Sequence, residues 1–218
     1  MSSFVGHDEH RPSTFVRTRT LVGVAAAFLL TGCASTAPGG SSEPELTQVS
    51  RPPAEYSVPA GWDEDDQDNV THVIDGETPE QWVEHQSGGE AIVQWSVMST
   101  PQSEPTEERV REAIDAGLEG MKSATPQQIG YLREAAGMGC VGDATVVDPP
   151  RTEEVGAGYA LRYGYTCPSP SGPSRSIVIT AYGWDGRKHS WTVSTTEGFW
   201  DEHATELEAS ADSFRITD

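Results

Sequence analysis

The chain has 218 residues, with 14 Lys and Arg against 34 Asp and Glu, a formal net charge of −20. So acidic a surface excludes nucleic acid as a partner and finds no electrostatic hold on an anionic membrane face. Three cysteines and 35% hydrophobic residues leave room for one domain with its own core.

In chain order, Arg11, Arg17 and Arg19 precede ten uncharged, mostly apolar residues, Leu21 to Leu30. In a helix these ten rise about 15 Å, half of a bilayer core of roughly 30 Å, so they cannot span it. A basic start, a short apolar run and small residues make a secretory signal peptide, residues 1–32. The small residues run into Leu30-Thr31-Gly32-Cys33, which resembles the lipobox of bacterial lipoproteins: an aliphatic residue, two small ones, then Cys. That resemblance implies a diacylglyceryl group on the Cys33 sulfur, cleavage before Cys33 and palmitate-type acyl chains. It places the protein on the outer face of the bacterial cell membrane. Two or more acyl chains give stable anchoring where one does not, at about 0.8 kcal/mol per buried CH₂. Residues 33–54 carry the lipidated Cys and are otherwise small, polar and rich in Pro, Gly and Ser, the composition of a flexible tether.

Residues 55–218 read as a single α+β domain. Glu55–Val58 is a short strand, followed by a turn at Pro59-Ala60-Gly61-Trp62. Residues 63–69 read as an exposed acidic loop and 70–75 as a second strand. Thr78, Pro79 and Gln81 look like a capped helix start, with Trp82 on that helix. Ala91 to Met98 is a buried strand. From Thr106 to Lys122, Val110, Ala113, Ile114, Leu118 and Met121 share one face at helical spacing, with Glu108, Glu112, Asp115 and Glu119 opposite. Residues 126–138 suit either a helix capped at Thr125-Pro126 or a strand starting at Tyr131-Leu132.

Strand patterns follow at 140–147, 159–167, 176–184 and 187–195, with Asp148-Pro149-Pro150 opening the first loop and Asp185-Gly186 predicting a two-residue type I′ turn in the last. A last helix stacks Trp200, Ala204, Leu207, Ala211 and Phe214, with Asp201 and Glu202 in its first turn. Hairpin links make the sheet mainly antiparallel, with helices packed on it. Pro59, Gly61 and Trp62 after the first strand, the mid-chain amphipathic helix, the meander and the ending Ser213-Phe214-Arg215-Ile216 resemble the PsbP-like fold, which recurs in small bacterial lipoproteins. The resemblance brings no catalytic residues, since members of that fold are mostly binding or assembly factors.

With Cys33 lipidated, Cys140 and Cys167 are an even pair in an oxidising compartment, and a disulfide is expected. Setting Cys140 opposite Cys167 across a hairpin also places Val146 against Leu161, Ala144 against Tyr163 and Gly142 against Tyr165, small side chains against large ones.

Other motifs fail on context. Gly137-Met138-Gly139-Cys140-Val141-Gly142 fits GxGxxG, but a strand-like segment ended by proline follows it where a dinucleotide site needs a helix. Asp63, Asp65 and Gln67 alternate as in a Ca²⁺ loop, yet the sixth position is Asp68 and the twelfth Ile74, not Gly and Glu. His72, His85, His189 and His203 share no metal-ligand spacing, and the Asp185-Gly186 turn sets His189 opposite Tyr182. The six tryptophans fit a core better than a pocket lining. The sequence therefore points to a non-catalytic binding or accessory protein of the cell envelope, without cofactor or metal. It meets the membrane through its lipid and has a protein or small-ligand partner of unstated kind. The alternatives are an envelope hydrolase with a dispersed site, or a binder of cations or basic partners through the acidic half, where fourteen acids and no Lys or Arg lie between Pro52 and Glu108.

Overall fold

A computed structural model of the chain describes residues 44–66, 79–98, 105–135 and 140–218. The signal peptide, Cys33, most of the tether, the strand expected at 70–75 and His72 lie outside the described residues. Among the described residues, ten strands and three helices follow in the order β1 (Leu46–Arg51), β2 (Ala54–Pro59), β3 (Asp63–Asp66), β4 (Pro79–Ser87), β5 (Ala91–Met98), α1 (Glu107–Ser123), α2 (Pro126–Ala135), β6 (Thr145–Glu154), β7 (Gly158–Ser169), β8 (Gly172–Gly183), β9 (Lys188–Thr196), α3 (Glu197–Asp212) and β10 (Arg215–Ile216). They make an α+β fold of two antiparallel sheets flanked by helices. The larger runs β3-β4-β5-β9-β8-β7-β6 and the smaller β1-β2-β10.

Caps and periodicity set the helix ends. Thr106 Oγ1 accepts from the Arg109 backbone N–H at the start of α1, with Glu107 and Glu108 in the first turn and Lys122 in the last. At α2 the Gln128 N–H donates to Thr125 Oγ1 and the Thr125 N–H donates to Gln128 Oε1, a reciprocal capping box that settles 126–135 as helix. Thr196 caps α3, so the acid in its first turn is Glu197, not Asp201 or Glu202.

One face of the large sheet packs Val93, Trp95, Val97, Trp191, Val193 and Ile179 against Trp200, Leu207 and Ala211 of α3 and Tyr56 and Val58 of the small sheet. The other face, at its β7 end, packs Leu161, Tyr163, Tyr165 and Val178 against Ile114 of α1 and Ile129 of α2. Four of the tryptophans, Trp82, Trp95, Trp191 and Trp200, are buried.

Five sequence expectations change. Leu46–Arg51, placed in the tether, is strand β1, because β2 offers it a ladder and Val49 an apolar neighbourhood. Asp63–Asp66, expected in a loop, is edge strand β3. It is short and wholly acidic, a composition that discourages edge-to-edge pairing. Residues 79–87, expected to continue a helix, are strand β4. Ser87 pairs with Ala91 around Gly88 and Gly89, both at positive φ (56° and 79°), so the double glycine turns a hairpin. The β6–β7 reversal falls at residues 155–157, not at Asp148-Pro149-Pro150. β6 is an edge strand, where proline costs no ladder bond on its open side, and register shifts on both sides of Asp148 absorb the extra residues. Val146 therefore faces Tyr165, not Leu161. Last, the β8–β9 loop has three residues. The Gly186 N–H donates to the Gly183 carbonyl and the Gly183 N–H to the Arg187 carbonyl, with Gly186 at φ 82°. That shifts the register by one, pairs His189 with Ala181 and turns the imidazole into the core.

Candidate functional site

Cys140 and Cys167 are joined by a disulfide, with Cα atoms 5.6 Å apart. The bond is not across a hairpin pair. Cys140 precedes β6, and its neighbour Val141 donates its N–H to the Pro168 carbonyl at 2.8 Å, which lays this stretch beside the end of β7. Both cysteines are buried against Ile129 and Tyr165 in the α1–α2 layer.

The most organised polar group lies at the other end of that sheet face. β4 and β5 alternate, so Trp82, Glu84 and Gln86 share a face with Ile92 and Gln94, and Glu84 sits directly opposite Gln94. Glu84 is 9% exposed. Its Oε1 accepts from Trp82 Nε1 and Gln94 Nε2, both at 2.8 Å, and its Oε2 accepts from Gln86 Nε2 at 3.3 Å. Burying a carboxylate costs several kcal/mol unless it is well bonded, and here three donors supply the bonds. A carboxylate only accepts, so each glutamine must turn its NH₂ inward and leave its carbonyl oxygen free of Glu84. Gln86 and Gln94 line a cavity of about 370 Å³ between the β4–β5 and β7–β8 turns, with Ile92 on its floor and Ser174 and Ser194 on its wall. No Lys, Arg or His lies among its described lining residues.

Several charged groups elsewhere are engaged with one another. Arg162, 7% exposed, donates to Asp212 at 2.5 Å beside a cavity of about 260 Å³ that Arg151, Asp148 and Glu208 share. Arg111 lies 4.7 Å from the Tyr159 ring centre and pairs with Glu107 and Glu154, which raise its pKa further. Glu64 pairs with Arg51 across the two sheets' rims.

Two histidines are buried in the α3-side core. His85 Nε2 is 3.1 Å from Tyr56 Oη, a contact that ties the small sheet to the large one. Burial lowers its pKa, with Glu64 opposing and Arg51 reinforcing the shift. His189, fully buried beside Trp95, is lowered to about 4 by burial, against the pull of Asp185 and with a push from Arg187. Asp185 is held below the usual carboxylate value: burial would raise it, but the Arg187 N–H and guanidinium outweigh that. His203 instead bonds to Glu206 on α3 and stacks on Phe199.

Of the residues singled out from the sequence, the structure joins Cys140 to Cys167, while Cys33 falls outside the described residues. The sequence reading puts Trp82 on a short helix starting at Thr78, and so does not set Glu84 and Gln86 beside Gln94 of the strand Ala91 to Met98. The signal was present in the alternation of Trp82, Glu84 and Gln86 into Gly88-Gly89, followed by Ile92 and Gln94.

No family model matches the sequence, and no curated protein matches it. The fold is similar to that of the cyanobacterial PsbP protein CyanoP from Synechocystis sp. PCC 6803, with a TM-score of 0.51 at 17% identity, over 83% of this chain and 98% of that one. At that identity the likeness shows the fold alone, and it bears out the PsbP-like architecture. LpqN, a protein involved in cell envelope biogenesis of Mycobacterium tuberculosis, aligns at a TM-score of 0.44 and 7% identity, over 80% of this chain and 91% of that one. A protein of Bacteroides thetaiotaomicron aligns at 0.43 and 10%, over 81% of this chain and 49% of that one.

Proposed function

We propose that this chain is an exported lipoprotein, anchored through Cys33 to the outer face of the bacterial cell membrane, with a non-catalytic binding role in the envelope. The observation that carries the binding half is the Glu84 cluster. A buried carboxylate is spent on fixing two glutamine side chains at the edge of a cavity, an arrangement that a core would replace with apolar packing at no loss. A cavity of this size falls in the range of small-ligand sites. The anchoring half rests on Leu30-Thr31-Gly32-Cys33 behind its apolar run. Among the described residues no helix is long and apolar enough to cross a membrane. The PsbP-like architecture supports the accessory reading through its known members, which act chiefly by binding.

Replacing Cys33 with Ser and labelling cells with a palmitate analogue tests the anchor. The parent is expected in the membrane fraction carrying label, and the variant unlabelled and released. A variant that is still processed and stays in the membrane fraction overturns the assignment.

A further inference from the structure

We infer that the cavity between the β4–β5 and β7–β8 turns binds an uncharged saccharide, with the Gln86 and Gln94 amides as its principal contacts. The inference rests on the binding role proposed above and names the ligand class.

The lining excludes the other classes in turn. An anion needs a cation or a ring of backbone donors, and no Lys, Arg or His lines the cavity among the described residues. A cation would find Glu90 as the one carboxylate among the described lining residues, an exposed side chain on the turn at the rim. A purely apolar ligand would cover the Gln86 and Gln94 amide carbonyls, at about 1–3 kcal/mol for each group left unsatisfied.

What remains is a neutral molecule that both donates and accepts hydrogen bonds and has an apolar side. The amide oxygens of Gln86 and Gln94 accept. Ser174 donates its hydroxyl to the Cys167 carbonyl at 3.2 Å and is left to accept, while Ser194 shares a hydrogen bond with Ser176 through hydroxyls 2.8 Å apart. Ile92 and Pro170 offer apolar surface to the C–H side of a sugar ring. The amides do not have to be ordered on binding, because Glu84 already holds both, and that lowers the entropic cost. Affinity should still be weak, on the order of a millimolar dissociation constant, since every polar contact replaces one with water.

The test is ligand-observed saturation-transfer NMR on the full lipidated chain in a detergent without a sugar headgroup. The probes are glucose, galactose, mannose, arabinose, maltose and cellobiose, with glucuronate and glucose 6-phosphate as charged counterparts. At least one neutral sugar is expected to show transfer, and its charged counterpart at least several-fold less. Gln86→Leu and Gln94→Leu, which remove the amides, should each lower affinity about tenfold, and because each also takes a donor from Glu84, binding is compared well below the melting temperature of the variant. Glu84→Gln should weaken binding by freeing the two amides to rotate. The inference is overturned if no neutral sugar binds, if binding ignores all three variants, or if the charged sugars bind as well. Charged sugars that bind and are lost in Gln86→Leu would sink the ligand class and leave the binding role standing. New sugar signals growing during acquisition would show turnover and sink the non-catalytic role instead.

Discussion

The two faces of the seven-stranded sheet use the same strands for opposite ends. On the α3 side, β4, β5 and β9 contribute Val83, His85, Trp95, Val97, His189 and Trp191, and the layer is buried and rich in aromatic rings. On the other side the same strands contribute Glu84, Gln86, Gln94, Thr192 and Ser194, and only the β7 end of that face is covered by α1 and α2. The period of two lets one strand serve both, provided one face alone supplies enough apolar burial to hold the sheet. The polar face is then free to carry a site, and its mutations should be decoupled from stability.

That decoupling breaks most visibly at Trp191. Trp191→Ala should cost about 3–5 kcal/mol in urea unfolding, whereas Ser194→Ala, three residues on and on the opposite face, should cost about 1, the hydrogen bond to Ser176. Equal losses would mean that the polar face also supports the fold.

On the α1–α2 side a covalent link supplements the smaller apolar layer. The disulfide closes a separation of 27 residues, so Cys140→Ser with Cys167→Ser should lower stability by about 3.5 kcal/mol in the chain-entropy model. Hydrogen exchange should place the loss in α1, α2 and the start of β6. Loss of protection spread evenly over α3 would contradict the division into two layers.

The α3 face is also the acid-sensitive one. His189 is neutral when folded, with a pKa lowered from 6.5 to about 4. Its contribution is therefore full above the unfolded value of 6.5 and is lost as pH falls from there to about 4. The slope approaches 1.4 kcal/mol per pH unit, about 3 kcal/mol over the whole span. His85, lowered for the same reason, adds in the same direction. His189→Leu should flatten the pH dependence of the denaturation midpoint between 6.5 and 4. An unchanged slope would show that the carboxylates, not this imidazole, govern acid unfolding.

The smallest effect sharpens the contrast at a helix end. Thr106→Ala removes the α1 cap and should cost about 1 kcal/mol, read as earlier fraying of α1 while the exchange of α3 amides stays as in the parent.

Much of this architecture was legible in residues whose signals are local. The apolar stripe through Val110 and Ile114 with its acidic opposite face specifies α1 within a few positions, whereas 126–138 stayed open between helix and strand until the bonds between Thr125 and Gln128 were in view. The composition alone set the charge, and the Leu21–Cys33 stretch alone motivates the envelope assignment, because targeting signals are read in linear form. What tertiary structure decided were the registers and the edges. Asp185-Gly186 turns in three residues and not two, and that one residue moves His189 from a place opposite Tyr182 to one opposite Ala181, fully buried. Pro149-Pro150 reads as a loop until β6 proves to be an edge. Glu84, Gln86 and Gln94 form one cluster only after the hairpin sets Glu84 opposite Gln94, since a cross-strand contact is a property of pairing and not of either strand.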